Sequence, residues 1–254
     1  MSKGIKGAPA KALSAAMMMI GCAGVLTGAP GRAVAGAGEG MNDTVLFFGP
    51  QVAIRSTGKS TLGFDSGFTT ALSGDIDASG WVVTGNLGYA HTRYAGALTH
   101  SFYSSLLIGY QWQTPNIYFS LSAGVALNGD YDTASGTGVV GAVGGSLLYV
   151  FETKAVNAPY VQSFGSFSTI ATDIYLHAKA GYKTTSVSYG AEYTFFDDSG
   201  SAPTHRIGVF VNGIRITDRL SMSVSAGYQY NRAPDELGGA YATIGFSTPL
   251  SLFK

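Results

Sequence analysis

The sequence predicts an all-β protein: a transmembrane antiparallel up-and-down β-barrel, most economically of twelve strands, with ten as the alternative. Three observations predict it. Apolar and small polar residues alternate with period two through most of the chain after residue 43. The second face of these segments is Ser, Gly, Asn and Ala rather than Lys and Glu. Charged residues make up only 12% of the chain, which also holds 15 Tyr and 14 Phe. A soluble domain carries roughly 25% charge. No stretch beyond residue 35 has eighteen consecutive apolar residues, so helical spans are excluded. Low charge, many aromatics and alternating segments together suit a wall that faces lipid.

Residues 1–35 read as a cleaved signal peptide. Lys3, Lys6 and Lys11 form a positive start, Leu13 to Leu26 a short apolar run, and Ala33-Val34-Ala35 a small-x-small cleavage site. A membrane anchor fits less well, because the run breaks at Gly28, Pro30 and Gly31. A lipoprotein signal would cleave before Cys22, yet the apolar run continues past it. Residues 36–43 follow as a short linker, and 44–254 form the barrel. Cleavage after Ala35 removes four basic residues and no acidic one, leaving a net charge of −4 and no cysteine. That excludes a disulfide, a thiol nucleophile and a thiolate metal site. The chain also lacks the basic patch that nucleic acid binding requires.

The strands are expected at 44–54, 61–73, 80–94, 99–113, 116–128, 138–151, 158–169, 172–183, 185–196, 204–216, 219–230 and 238–250. The first contains Pro50, which weakens it locally. In the third, Trp81, Val83, Leu87 and Tyr89 alternate with Thr84, Asn86, Gly88 and Ala90. In the fourth, Phe102, Leu106, Ile108, Tyr110 and Trp112 alternate with Ser101, Ser105, Gly109 and Gln111. The fifth is the clearest, with Ile117, Phe119, Leu121, Ala123, Val125 and Leu127 on one face. Tyr118, Ser120, Ser122, Gly124, Ala126 and Asn128 fall on the other. The sixth, Val139 to Phe151, is apolar on both faces. Residues 158–183 read either as one long strand or as two with a tight connection near residue 170. In the ninth, Val187, Tyr189, Ala191, Tyr193 and Phe195 alternate with Ser188, Gly190, Glu192 and Thr194. In the eleventh, Leu220, Met222, Val224, Ala226 and Tyr228 alternate with four polar or small residues and Gln229. An even count places both ends of such a barrel on the periplasmic side. Long outer loops are expected at Asn128–Gly138, Asp197–Pro203 and Asn231–Gly238.

A soluble β-sandwich also alternates, but its outer face carries Lys, Glu and Thr. Aromatics near strand ends argue further for a membrane wall: Trp81, Tyr110, Trp112, Tyr118, Tyr149, Tyr182 and Tyr230 suit interfacial girdles.

Catalytic and metal motifs are weak. Gly58-Lys59-Ser60 resembles the end of a phosphate loop, but Ala53 stands where that loop needs glycine and no helix follows, so a surface turn is the better reading. His91, His100, His177 and His205 have no metal-ligand spacing. Asp75, Asp77, Asp130, Asp132, Asp197 and Asp198 are assigned to solvated connections rather than a calcium loop. No cofactor or metal is expected. His91 and Arg93 share the apolar face of their strand, late enough to have crossed the apolar band. The lumen is more informative. Asp173, His177 and Lys179 share one face; Glu192 lies on the next strand, and Arg206 and Asn212 on the one after. These residues are expected to form a polar network inside the barrel, paired because a buried charge is costly alone. Such a network either fills the lumen or lines a path for a hydrated ligand.

Several ordered motifs carry a family resemblance. They are Leu72-Ser73-Gly74-Asp75-Ile76 with Gly80-Trp81 and Gly88-Tyr89, then Ser105 to Gln111, then Gly165-Ser166-Phe167-Ser168-Thr169 with Asp173-Ile174-Tyr175 and Gly181-Tyr182. Gly190-Ala191-Glu192, Arg206 to Phe210 and Ser225-Ala226-Gly227-Tyr228 follow in order. The series resembles the cellulose biosynthesis protein BcsS family. The resemblance implies an outer-membrane accessory of cellulose biosynthesis and secretion, not an enzyme, serving as a narrow polysaccharide path or a docking scaffold. Its partners would be outer-membrane lipid, cellulose and other components of the secretion machinery. It brings no catalytic residues. The rival readings are a lipid-modifying or lipid-hydrolysing barrel, built on His91 or His177, and a plugged barrel that binds a partner through its outer loops.

Overall fold

Alternation becomes a closed wall because every segment presents apolar residues to one side and small or polar ones to the other. The structure, a computed structural model, describes residues 42–133, 136–170, 172–197, 202–231 and 238–252. The predicted signal peptide, most of the linker, Asp198 and the Phe253-Lys254 end lie outside the described residues. The strands are β1 (Thr44–Arg55), β2 (Ser60–Ala71), β3 (Gly80–Tyr94), β4 (Ala97–Gln113), β5 (Ile117–Asp132) and β6 (Thr137–Thr153). They continue with β7 (Ala158–Ser168), β8 (Asp173–Lys183), β9 (Ser188–Asp197), β10 (Thr204–Arg215), β11 (Ser221–Asn231) and β12 (Gly239–Leu250). Each strand pairs antiparallel with its sequence neighbours, and β12 pairs with β1, so the sheet has no free edge. The count is twelve, and residues 158–183 form two strands.

The lipid-facing side is apolar. Leu87, Leu106, Ile108 and Val125 are each more than half exposed on the outside of the barrel. Among soluble proteins such a continuous apolar belt would drive association; around a closed barrel it meets acyl chains. Trp81, Tyr110, Trp112 and Phe119 stack in a row on the outside of β3–β5, near the end where the barrel chain starts and stops. This end is called the terminal end below, and the opposite one the far end. Tyr118 departs from the predicted girdle. It is buried inside, because period two places it opposite to Phe119, and the alternation overrides its position near a strand end.

Loop lengths also depart from expectation. The predicted Asn128–Gly138 loop is mostly strand: β5 runs to Asp132 and β6 starts at Thr137. Asp130 and Asp132 therefore lie on β5, and Asp197 closes β9, rather than in connections. At the far end, β3 and β4 are joined by Ala95 and Gly96 alone, both with positive φ. The longest described connection, residues 72–79, is at the terminal end. Here Ile76 folds inside the barrel mouth and packs with the inward-facing Val45, Ala71 and Val82. Pairing of β1 with β12 lapses at Gly49 and Pro50 and resumes in the same register at Gln51, as expected where a residue has no N–H to give to the ladder.

Candidate functional site

The inward faces fill the barrel rather than line an open bore. Phe47, Tyr103, Leu107, Tyr118, Leu148, Val150, Phe164, Tyr175 and Phe196 form one buried cluster. It draws on β1, β4, β5, β6, β7, β8 and β9, so it reaches across the interior from wall to wall. Leu148 and Val150 explain why β6 reads as apolar on both faces: its inner residues pack here while Leu147 faces out.

Beside this cluster lies a polar network centred on Glu192. Its Oε2 is 3.2 Å from His177 Nε2 and 3.9 Å from Lys179 Nζ. Its Oε1 accepts a 2.7 Å hydrogen bond from the Tyr241 hydroxyl. Lys179 also donates to Asn212 Oδ1 at 3.2 Å and sits 5.1 Å from the centre of the Phe210 ring. His177 packs edge-on against Phe164, with centroids 4.9 Å apart. Arg206 donates from Nε to Gln229 and from Nη1 to Gln51, each at 3.2 Å, and lies 5.0 Å over the Tyr241 ring. Buried charges persist only when paired or hydrogen-bonded: Glu192 and Lys179 meet each other, and Arg206 is met by two neutral amide oxygens and a ring face.

Local geometry explains the assembly. Glu192 on β9 pairs in register with Lys179 on β8 and with Gly208 on β10. Arg206 lies two residues from Gly208 on the same inner face. Gly208 is essential to the arrangement: a Cβ there would collide with the Tyr241 hydroxyl. Its absence lets Tyr241 lie over β10 and reach Glu192 from β12.

Of the residues singled out from sequence, His177, Lys179, Glu192 and Asn212 meet directly, and Arg206 joins through Tyr241. Asp173 does not share the Glu192 contact. It is buried at the far start of β8, four residues before His177, or about 13 Å along the strand. Sequence reading missed Gln51, Gln229 and Tyr241. Their inward parity was readable, but which strands face each other across a closed barrel was not.

A second buried group stands nearer the terminal end. Lys183 Nζ is 3.6 Å from Glu152 Oε1, which also accepts a 3.2 Å bond from the Tyr160 hydroxyl. Lys183 lies 5.6 Å over the Tyr160 ring. These three line a vestibule of about 1260 Å³ that opens at the terminal end between Lys154, Arg215, Asp218 and Arg219. Tyr160 closes its inner end and packs on Phe210 beyond, with centroids 5.8 Å apart and both side chains fully buried.

A lipid-facing wall around a packed, ion-paired interior defines a membrane-spanning β-barrel with a filled lumen. The sequence matches the family described as cellulose biosynthesis protein BcsS over residues 45–250, and the chain belongs to that family. Membership associates it with cellulose biosynthesis. No curated protein matches the chain in sequence. Among solved structures it is similar to the β-domain of the Bordetella autotransporter BrkA, at 11% identity and a TM-score of 0.46, over 82% of this chain and 98% of that one. The translocator domain of the Neisseria meningitidis autotransporter NalP gives 9% and 0.48, over 84% and 90%. LpxR from Salmonella typhimurium gives 10% and 0.46, over 81% and 100%. These likenesses are of barrel to barrel and extend no further.

Proposed function

We propose that the protein is an outer-membrane accessory of cellulose biosynthesis that acts as a filled docking scaffold, exported by the segment 1–35 and then freed of it. The terminal end faces the periplasm, and its vestibule receives a component of the secretion machinery. The observation that carries the reading is the transverse filling of the lumen. Side chains from β1, β9, β10 and β12 meet inside it through Arg206, Gln51, Glu192 and Tyr241. A cellulose chain would have to displace that network as well as the aromatic cluster.

The vestibule favours a second reading, a narrow polysaccharide path, since about 1260 Å³ of polar-rimmed space already enters the barrel from one end. A lipid-hydrolysing role is disfavoured by the histidines. Outward His91 and His100 face each other across β3 and β4, and His100 Nδ1 is engaged by the Tyr89 hydroxyl rather than by a serine. Buried His177 is engaged by Glu192.

Planar-bilayer conductance of the refolded mature chain, with and without soluble cello-oligosaccharides, separates the readings. The scaffold predicts a heat-modifiable, folded barrel with no steady conductance. Steady conductance that the sugar blocks would overturn it in favour of the path.

A further inference from the structure

The outside of the wall carries one three-strand arrangement twice. On β3–β5, the Tyr89 hydroxyl and His100 Nδ1 share a 2.6 Å hydrogen bond, and His100 stands directly opposite Tyr131. On β9–β11, the Tyr193 hydroxyl and His205 Nδ1 share a 2.8 Å bond, and His205 stands opposite Tyr230 with the rings stacked at 4.8 Å. The central strands, β4 and β10, are six apart in the ring of twelve, so the two sites are on opposite sides of the barrel. In each, the bond to tyrosine fixes the imidazole and leaves Nε2 turned away from it.

On the strand that carries the bonding tyrosine, the copies differ at the two outward positions that follow it. Where β9 has Phe195 and Asp197 following Tyr193, β3 has His91 and Arg93 following Tyr89. His91 stands directly opposite His100, and Arg93 lies two residues on along the same outward face. Among the described residues, neither His91 nor Arg93 has a side-chain partner. The outward neighbours are Ser60 and Leu62 on β2, Leu98 and Phe102 on β4, and Tyr131 on β5, none of them acidic.

Height in the membrane supplies the ligand. His91 is ten residues beyond Trp81, which belongs to the terminal-end aromatic row. With a rise of about 3.3 Å per residue and a tilt near 40°, that is about 25 Å, the thickness of the apolar band. His91, His100 and Arg93 therefore stand at the headgroup level of the far leaflet, where lipid phosphates lie. An unpaired guanidinium beside two imidazoles, with no carboxylate on the same outward face (the neighbouring Asp132 alternates to the inner one), is a phosphate-binding set.

We propose that this face of β3–β5 binds a phosphate-bearing lipid headgroup through Arg93, His91 and His100, with Tyr89 holding His100 in place. The β9–β11 copy, with Phe195 and Asp197 in the corresponding places, does not bind one. The inference needs the membrane-spanning barrel but not the cellulose role, so either can fail without the other.

The test is native mass spectrometry of the refolded mature chain in a zwitterionic detergent. The probe is lipid A, a diphosphorylated glycolipid, compared with its dephosphorylated form. Heat-modifiable mobility checks that each variant is folded. Lipid A is expected to be retained and the dephosphorylated form released. Arg93→Gln and His91→Gln should each weaken retention roughly fivefold, the scale of one exposed charge contact, whereas His205→Gln should not change it. Equal retention by Arg93→Gln and the wild type would overturn the proposal, as would an equal loss in His205→Gln. Displacement of lipid A by inorganic phosphate at matching concentration would also overturn it, since the site would then be one for free phosphate.

Discussion

Arg206 on β10 and Gln51 on β1 meet inside the barrel, with Nη1 donating to Oε1 at 3.2 Å. Two strands, β11 and β12, separate them in the wall, so the contact is a strut across the curve of the barrel rather than a neighbour pair. Replacing Arg206 with Met removes the strut and leaves the buried amide oxygens of Gln51 and Gln229 without the donor they accept from. The expected cost is about 1–3 kcal/mol. Urea unfolding in lipid vesicles would show it as a lower midpoint, and an unchanged midpoint would mean that the strut carries no stability.

Glu192 meets three inward groups: it accepts hydrogen bonds from His177 and Tyr241 and forms an ion pair with Lys179 at 3.9 Å. Glu192→Gln keeps the volume but leaves the Lys179 ammonium with only the neutral Asn212 oxygen as its close acceptor. The loss should again be about 3–5 kcal/mol. In a double-mutant cycle, Lys179→Met added to Glu192→Gln should cost less than the sum of the two single changes. Strict additivity would mean that the pair is not coupled.

The wall makes a depth-dependent prediction. Val125 is 56% exposed near the middle of the outward face of β5, and Tyr131 lies six residues further toward the far end. Val125→Arg puts a charge among acyl chains and should destabilise the barrel by about 2–4 kcal/mol. Tyr131→Arg stands at headgroup level and should cost about 0–1 kcal/mol. Equal costs in vesicle unfolding would contradict the assignment of the band.

The wall was legible in the sequence and the interior only partly so, for a physical reason. Period two depends on one strand at a time, so the outward Leu121 and inward Ser122 of β5 are readable without any partner. The same rule puts Tyr118 inside, where aromatic position alone had suggested a girdle. The far parts of β5 and β6 resembled a loop because strand that extends toward water carries polar residues such as Asp130 and Asp132. His177, Lys179 and Glu192 were within reach of sequence reasoning because β8 and β9 are consecutive and in register. Asp173 was grouped with them by face, but a shared face says nothing about the distance along the strand. Gln51 and Tyr241 were not legible at all, since their contacts depend on how the closed ring brings distant strands together.

Gly208 gives the most direct test of that closure. It pairs with Glu192 on one side and Gly227 on the other, and a Cβ at this position would occupy the place of the Tyr241 hydroxyl. Valine fits the strand backbone better than glycine and should be neutral or mildly stabilising if only β-propensity mattered. The packed interior reverses that expectation. Gly208→Val must push Tyr241 away from Glu192, losing the 2.7 Å hydrogen bond and the ring that Arg206 covers. Overpacking of this kind costs about 1–3 kcal/mol, and a lost bond to a charged acceptor adds to it. Tyr241→Phe isolates the hydrogen bond alone and should be the milder change. Combining Gly208→Val with Tyr241→Ala should relieve the collision with the ring but not that with the Ala226 carbonyl oxygen, which the new Cβ approaches to 2.5 Å, so the double variant should be more stable than the sum of the two single losses predicts yet stay below Tyr241→Ala alone. A Gly208→Val barrel as stable as the wild type would show that Tyr241 does not cross β10 to reach Glu192.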